Sequence, residues 1–143
     1  MNTPIRTGNY KERNFKETVQ LIRKAAQEGA QLACTFEQFL DGYGYDANKI
    51  ATLNDANVDR CEIIGESTYV KDLANLAAEL KIAIVAGLAI REAEGTYNSA
   101  LIFSPTGKLI GQYRKTHNAG KYATWFAPLT RSQKRDNCPG FDL

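Results

Sequence analysis

Ile82-Ala83-Ile84-Val85-Ala86-Gly87-Leu88-Ala89-Ile90 is the stretch that decides the fold. It carries no charge and no strong hydrogen-bonding side chain. An uninterrupted apolar run of this length reads as a strand buried on both faces. Just before it, Val70, Leu73, Leu76, Ala77 and Leu80 recur on one side of a helix that runs from about Ser67 to Leu80. Just after it come two further strands, Tyr97 to Phe103 and Leu109 to Tyr113. The turn Ser104-Pro105-Thr106-Gly107-Lys108 joins them as an antiparallel hairpin. Upstream, Phe15, Val19, Ile22 and Ala26 return at helical spacing, with Asn14 as an N-cap and Gly29 as a stop. Ala30 to Phe36 then reads as a short strand. Helix–strand, helix–strand and a hairpin predict an α/β fold, a mixed sheet with covering helices.

Residues 38–60 hold Gly42, Gly44 and several asparagines and aspartates, and read as a long loop. Residues 1–10 supply no strand ahead of the first helix, and Phe141-Asp142-Leu143 looks like the start of another strand. The expectation is that residues 1–143 form a single incomplete domain.

The composition narrows the function. The chain has 143 residues, 43% hydrophobic and 24% charged, in the range of a folded globular chain. A net charge of +2 gives no electrostatic case for nucleic acid or a membrane surface. No apolar run approaches bilayer length, and Met1-Asn2-Thr3-Pro4-Ile5-Arg6 has no signal core. Cys34, Cys61 and Cys138 are odd in number and widely spaced, which predicts reduced thiols and a cytoplasmic setting. A single histidine rules out a multi-histidine metal site within the chain.

Glu37 follows the Ala30–Phe36 strand, at the kind of strand end where α/β sheets collect catalytic groups. Between Phe36 and Phe39 its carboxylate is expected to be partly desolvated, which pushes its pKa up toward that of a general base. Lys115, in Tyr113-Arg114-Lys115-Thr116-His117, ends the hairpin and offers a fixed positive charge to a developing oxyanion. His117, two residues on, could orient a carboxylate. Each has a plain alternative: a solvated loop glutamate, an edge-strand lysine and a structural histidine. Gly42-Tyr43-Gly44-Tyr45-Asp46-Ala47 fits a dinucleotide fingerprint, yet no good amphipathic helix follows it. Cys138 has Lys134 and Arg135 nearby, which could lower a thiol pKa, but the sequence places no base beside it. The cluster Arg131, Lys134 and Arg135 reads as a solvated face.

Taken in order, these residues resemble the carbon–nitrogen hydrolase (nitrilase) superfamily over about residues 12–143. Ala25-Ala26-Gln27-Glu28-Gly29-Ala30-Gln31-Leu32 is similar to the helix that leads into the family's glutamate strand. Glu37-Gln38-Phe39-Leu40-Asp41-Gly42-Tyr43 is similar to its glutamate motif, and Ala86-Gly87-Leu88 and Tyr97-Asn98-Ser99-Ala100 to the strands between. Tyr113-Arg114-Lys115-Thr116-His117 resembles its lysine motif and Pro139-Gly140 the Pro-Gly beyond. The resemblance implies part of an α-β-β-α sandwich and assembly into homo-oligomers. It also implies hydrolysis of a small amide, carbamoyl amine or nitrile, with a lean toward the amidase and carbamoylase branches. The resemblance implies no metal or organic cofactor. Glu37 becomes the base, Lys115 the oxyanion partner and His117 a second-layer partner of the carboxylate. The family's cysteine nucleophile has no match, because Cys138 precedes Pro139, so this chain carries no nucleophile and is expected to be inactive alone. Phe36 stands where the family has proline. Two other readings stay open. One is a non-catalytic fragment or pseudoenzyme acting as an interaction module. The other is a nucleotide-binding α/β domain built on the glycine loop.

Overall fold

The computed structural model describes residues 10–41, 61–118 and 127. The glycine loop at 42–47, the basic cluster at 131–135, Cys138 and Pro139-Gly140 lie outside them, as does most of the predicted loop 38–60.

Helix α1 spans Tyr10–Gln27 and begins a turn earlier than the sequence predicts. Asn14 therefore does not cap it. Its Nδ2 donates instead to the Leu40 carbonyl at 2.9 Å, which ties α1 to the turn that carries Glu37. Gly29 ends the helix region as predicted, with φ of 96°. Strand β1 is only Leu32–Cys34. Helix α2 spans Thr68–Leu80, and the Ser67 hydroxyl caps it by accepting from Val70 N. Strands β2 (Ala83–Glu92), β3 (Gly95–Phe103) and β4 (Leu109–Arg114) follow.

The sheet order is β1-β2-β3-β4, with β1 parallel to β2 and the other pairs antiparallel, so the sheet is mixed as predicted. Register and alternation give it two faces. One carries Ile84, Ala86, Leu88 and Ile90 of β2 with Leu101 and Phe103 of β3. These pack with Ile22 of α1 and with Val70, Leu73, Leu76 and Ala77 of α2 in one core. Each fully buried aliphatic or aromatic side chain contributes roughly 1.5–3 kcal/mol. The other face carries Val85, Gly87 and Ala89 of β2 with Asn98, Ala100 and Ile102 of β3. On it Ala83 and Val85 are only half-buried and Leu32 is 54% exposed. Among the described residues, the helices cover the central strand on the first face only, the helix face.

β1 is shorter than predicted because three segments share the edge of β2. β1 and Thr35 N use it as far as Val85, and Phe39 N then donates to the Gly87 carbonyl at 3.2 Å. Glu62 takes the rest: its N donates to Ala89 O at 2.8 Å, and its carbonyl accepts from Arg91 N at 2.9 Å. The Glu62 carboxylate is buried against Lys11 Nζ of α1 at 2.7 Å and the Ser67 hydroxyl. One residue thus joins the sheet edge to both helices.

Arg114, the last residue of β4, reaches back across β3 on the helix face. Its Nε and Nη2 donate to Glu92 Oε1 and Oε2 at 2.9 and 2.6 Å. Gln112 Nε2 donates to the same carboxylate at 2.8 Å, and the guanidinium lies 5.3 Å from the centre of the Tyr97 ring. Burial works to raise the Glu92 pKa, but the hydrogen bonds from Arg114 and Gln112 outweigh it and hold the carboxyl below its ordinary 4.5. A depressed carboxyl contributes stability that is complete above its unfolded pKa and is lost as pH falls through the folded one. Urea titrations from pH 7 to pH 3 should therefore show a steeper acid loss for the native chain than for Glu92→Gln. Parallel acid limbs would mean that the pair contributes nothing.

Candidate functional site

The turn after β1 makes the site possible. Residues 37–41 leave the line of β1, and Gln38 adopts a left-handed conformation with φ of 51°. That conformation costs a non-glycine residue about 1–2 kcal/mol. It is held because Gln38, Phe39, Leu40 and Asp41 are all buried, with Phe39 and Leu40 in the core. The turn lies hard against β2. A Cβ at Gly87 would sit 2.8 Å from Phe36 O, 2.9 Å from Glu37 Cα and 3.1 Å from Gln38 N. Only glycine lets the two backbones approach this closely. Gly87 N also donates to the Thr35 hydroxyl at 2.9 Å.

Glu37 and Lys115, far apart in sequence, meet here: Lys115 Nζ lies 2.8 Å from Glu37 Oε1. Asn98 Nδ2 donates to the same oxygen. The Asn98 carbonyl accepts from Lys115 N at 2.7 Å, so one residue of β3 holds both partners. Asn98 is buried, whereas the side chains of Glu37 and Lys115 are 39% and 33% exposed. All three lie toward the sheet face that the helices leave uncovered. The apolar enclosure expected for Glu37 is not formed, because Phe36 is 66% exposed and Phe39 turns into the core. One carboxylate oxygen instead takes both donors, the Lys115 ammonium and the Asn98 amide.

His117 is not brought to the carboxylate. It is exposed, with Nδ1 2.9 Å from Thr116 Oγ1. Of the described cysteines, Cys34 is exposed, and Cys61 lies 3.9 Å from the Thr96 hydroxyl. Burial pushes the Cys61 thiol up, so it is protonated at neutral pH. Among the described residues no three potential ligands gather to hold a metal ion.

The carbon–nitrogen hydrolase family profile matches residues 3–139. The chain belongs to the carbon–nitrogen hydrolase family. A nitrilase of Pyrococcus abyssi is 30% identical over 82% of this chain and 42% of its own length. The omega-amidase NIT2 of Homo sapiens is 31% identical over 79% of this chain and 38% of its own. The carbon–nitrogen hydrolase of Helicobacter pylori G27 superposes with a TM-score of 0.67 at 21% identity, covering 88% of this chain and 42% of that one. Nit3 of Saccharomyces cerevisiae, of the nitrilase superfamily, superposes at 0.63 with 27% identity, over 79% and 41%. The chain thus spans about two fifths of the length of these relatives. The fold is the nitrilase fold, of which the described residues form one mixed sheet and its helix layer.

Sequence reasoning singled out Glu37 and Lys115, which the structure brings together, but missed Asn98, which it read only as part of a strand motif. The available signal was a polar residue inside an apolar β3, which calls for a hydrogen-bond partner. Gly87 carried a signal of the same kind, a glycine within a strand. Gly87→Ala should push the Glu37 turn away from β2. We expect a loss of about 1–3 kcal/mol in unfolding free energy, from chemical denaturation. The Glu37–Lys115 contact should go with it, which side-chain NMR would show as loss of their cross-peaks. An unchanged contact would mean that the turn is placed by other means.

Proposed function

We propose that the chain supplies the base and the cation of an enzyme that hydrolyses a non-peptide carbon–nitrogen bond in a small amide, carbamoyl amine or nitrile. The observation that carries this is the Lys115–Glu37 contact, with Asn98 bound to both, on an open sheet face in a member of this family. On this reading residues 1–143 are a single incomplete domain. A cysteine thiol from a segment outside them completes the site.

For an amide the chemistry runs in two halves. Glu37 takes the thiol proton as sulfur attacks the carbonyl carbon, and Lys115 offsets the charge that forms on oxygen. The intermediate collapses to a thioester as Glu37 passes the proton to the departing amine. In the second half Glu37 takes a proton from water, which attacks the thioester carbon. Collapse of that intermediate returns the proton to sulfur and releases the acid. The omega-amidase and nitrilase relatives support this substrate class. A cytoplasmic setting accords with the unpaired Cys34 and Cys61.

The test is complementation. The 143-residue chain alone should not turn over amides, nitriles or carbamoyl amines. Mixed or fused with the portion of the Pyrococcus abyssi nitrilase beyond the matched region, it should hydrolyse a small amide or nitrile. Glu37→Gln or Lys115→Met should then lower kcat on the order of 100-fold or more. Undiminished activity of the Glu37→Gln hybrid would remove Glu37 from the chemistry. Activity of the chain alone that disappears with Cys138→Ala would make Cys138 the nucleophile.

The uncovered face has a physical consequence. Leu32 is 54% exposed and Ile110 62% exposed, and among the described residues β1 and β4 are the edge strands. Such surfaces favour association, and unpaired edges template it. Light scattering coupled to size-exclusion chromatography should find the isolated chain oligomeric or aggregating. A compact monomer with one sharp thermal transition would contradict the incomplete-domain reading.

A further inference from the structure

Lys115 lies one residue beyond β4, a six-residue strand that is bonded on one side only among the described residues. Two things must hold for its ammonium to meet Glu37. The strand end must not fray, and the strand must keep its register, because a slip of one residue turns every side chain to the other face. The register is not self-evident. The pairing shifts between Ile102 and Phe103, where Phe103 faces Leu109 and Ile102 faces Gly111, so Ile110 is an extra residue. From there Gln112 and Arg114 fall on the helix face, and Gly111, Tyr113 and Lys115 on the other.

The helix face is where this choice is fixed. Gln112 Nε2 reaches both Glu92 Oε1 and, at 3.2 Å, the Ser99 hydroxyl. Arg114 grips both oxygens of Glu92 and covers Tyr97. Glu92 belongs to β2, so the grip spans three strands. In the slipped register, Tyr113 and Lys115 would face this carboxylate, and the bidentate fork that matches a guanidinium would be lost.

From this geometry we infer that Glu92 and Arg114 are positioning residues, a register lock on the back of the sheet that delivers Lys115 to Glu37 on the front. The inference deepens the proposed function and rests on its assignment of the Glu37–Lys115 pair.

The test follows the Glu37 carboxyl by carbon-detected NMR titration of the full 143-residue chain. Lys115→Met is the reference: removing the ammonium should move the Glu37 titration to higher pH. Arg114→Met, which leaves both site residues in place, should move it in the same direction, and Arg114→Lys should restore it only in part. Glu92→Gln, nearly isosteric, serves where Arg114→Met folds poorly, and should also shift it upward. Loss of stability alone, with the Glu37 titration unmoved in folded Arg114→Met and Glu92→Gln, would overturn the lock and leave the pair intact. An unmoved titration in Lys115→Met would remove the pair itself, and the lock with it.

Discussion

The missing side chain at Gly87 is the constraint on which the site depends. Three backbone atoms of the Glu37 turn occupy the space that a Cβ would fill. Because the turn can press on β2 there, Phe39 N finds the Gly87 carbonyl, and Phe39 and Leu40 drop into the core. That burial in turn supports the left-handed Gln38. A pair of buried apolar side chains contributes several kcal/mol, more than the roughly 1–2 kcal/mol that the conformation costs. The Glu37 backbone is thus placed by packing beneath it, and Asn98 and Lys115 then hold its carboxylate.

The two sheet faces divide the work. The helix face is a buried apolar core that extends into the Glu92, Gln112 and Arg114 hydrogen bonds at one end of the sheet. The other face keeps half-buried Ala100 and Ile102, with Leu32 and Tyr113 exposed. Glu37, Asn98 and Lys115 lie toward that face. A site on the uncovered side can be enclosed by whatever packs there, and enclosure would strengthen every charge interaction in it. The rigid part of the constellation is on the strands, which suits precise placement.

Much of this was legible because it is periodic. Phe15, Val19 and Ile22 mark the inner face of α1, Val70 to Leu80 that of α2, and the run from Ile82 names the central strand. Glu37 and Lys115 stood out because each follows a strand. What sequence could not give was lateral. Asn98 matters through which residues flank it across the sheet. Glu62 lies between the predicted loop and α2, where no periodicity marks it, yet it completes the edge of β2. Asn14 has the chemistry of a cap, but α1 starts at Tyr10, so its amide was free to bind Leu40. His117 was placed on the lysine's side by strand alternation, but the strand stops at Arg114 and the alternation stops with it.

The Glu37–Lys115 contact itself holds little together. Both side chains are about a third exposed, and pairs of that kind contribute on the order of 0–1 kcal/mol. The placement of the site comes from backbone bonds instead: Lys115 N to Asn98 O, and Phe39 N to Gly87 O. Such a division suits the proposed chemistry. A tightly buried pair would resist separation, because each partner would be left as an uncompensated charge. A partly exposed pair on a fixed backbone can open at small cost, so the carboxylate can turn to a thiol proton while the ammonium turns to a carbonyl oxygen. The backbone does not have to move for either step. In this site the rigidity lies in the strands and the freedom in the last few side-chain bonds, which is the arrangement that acid–base transfer beside a developing oxyanion requires.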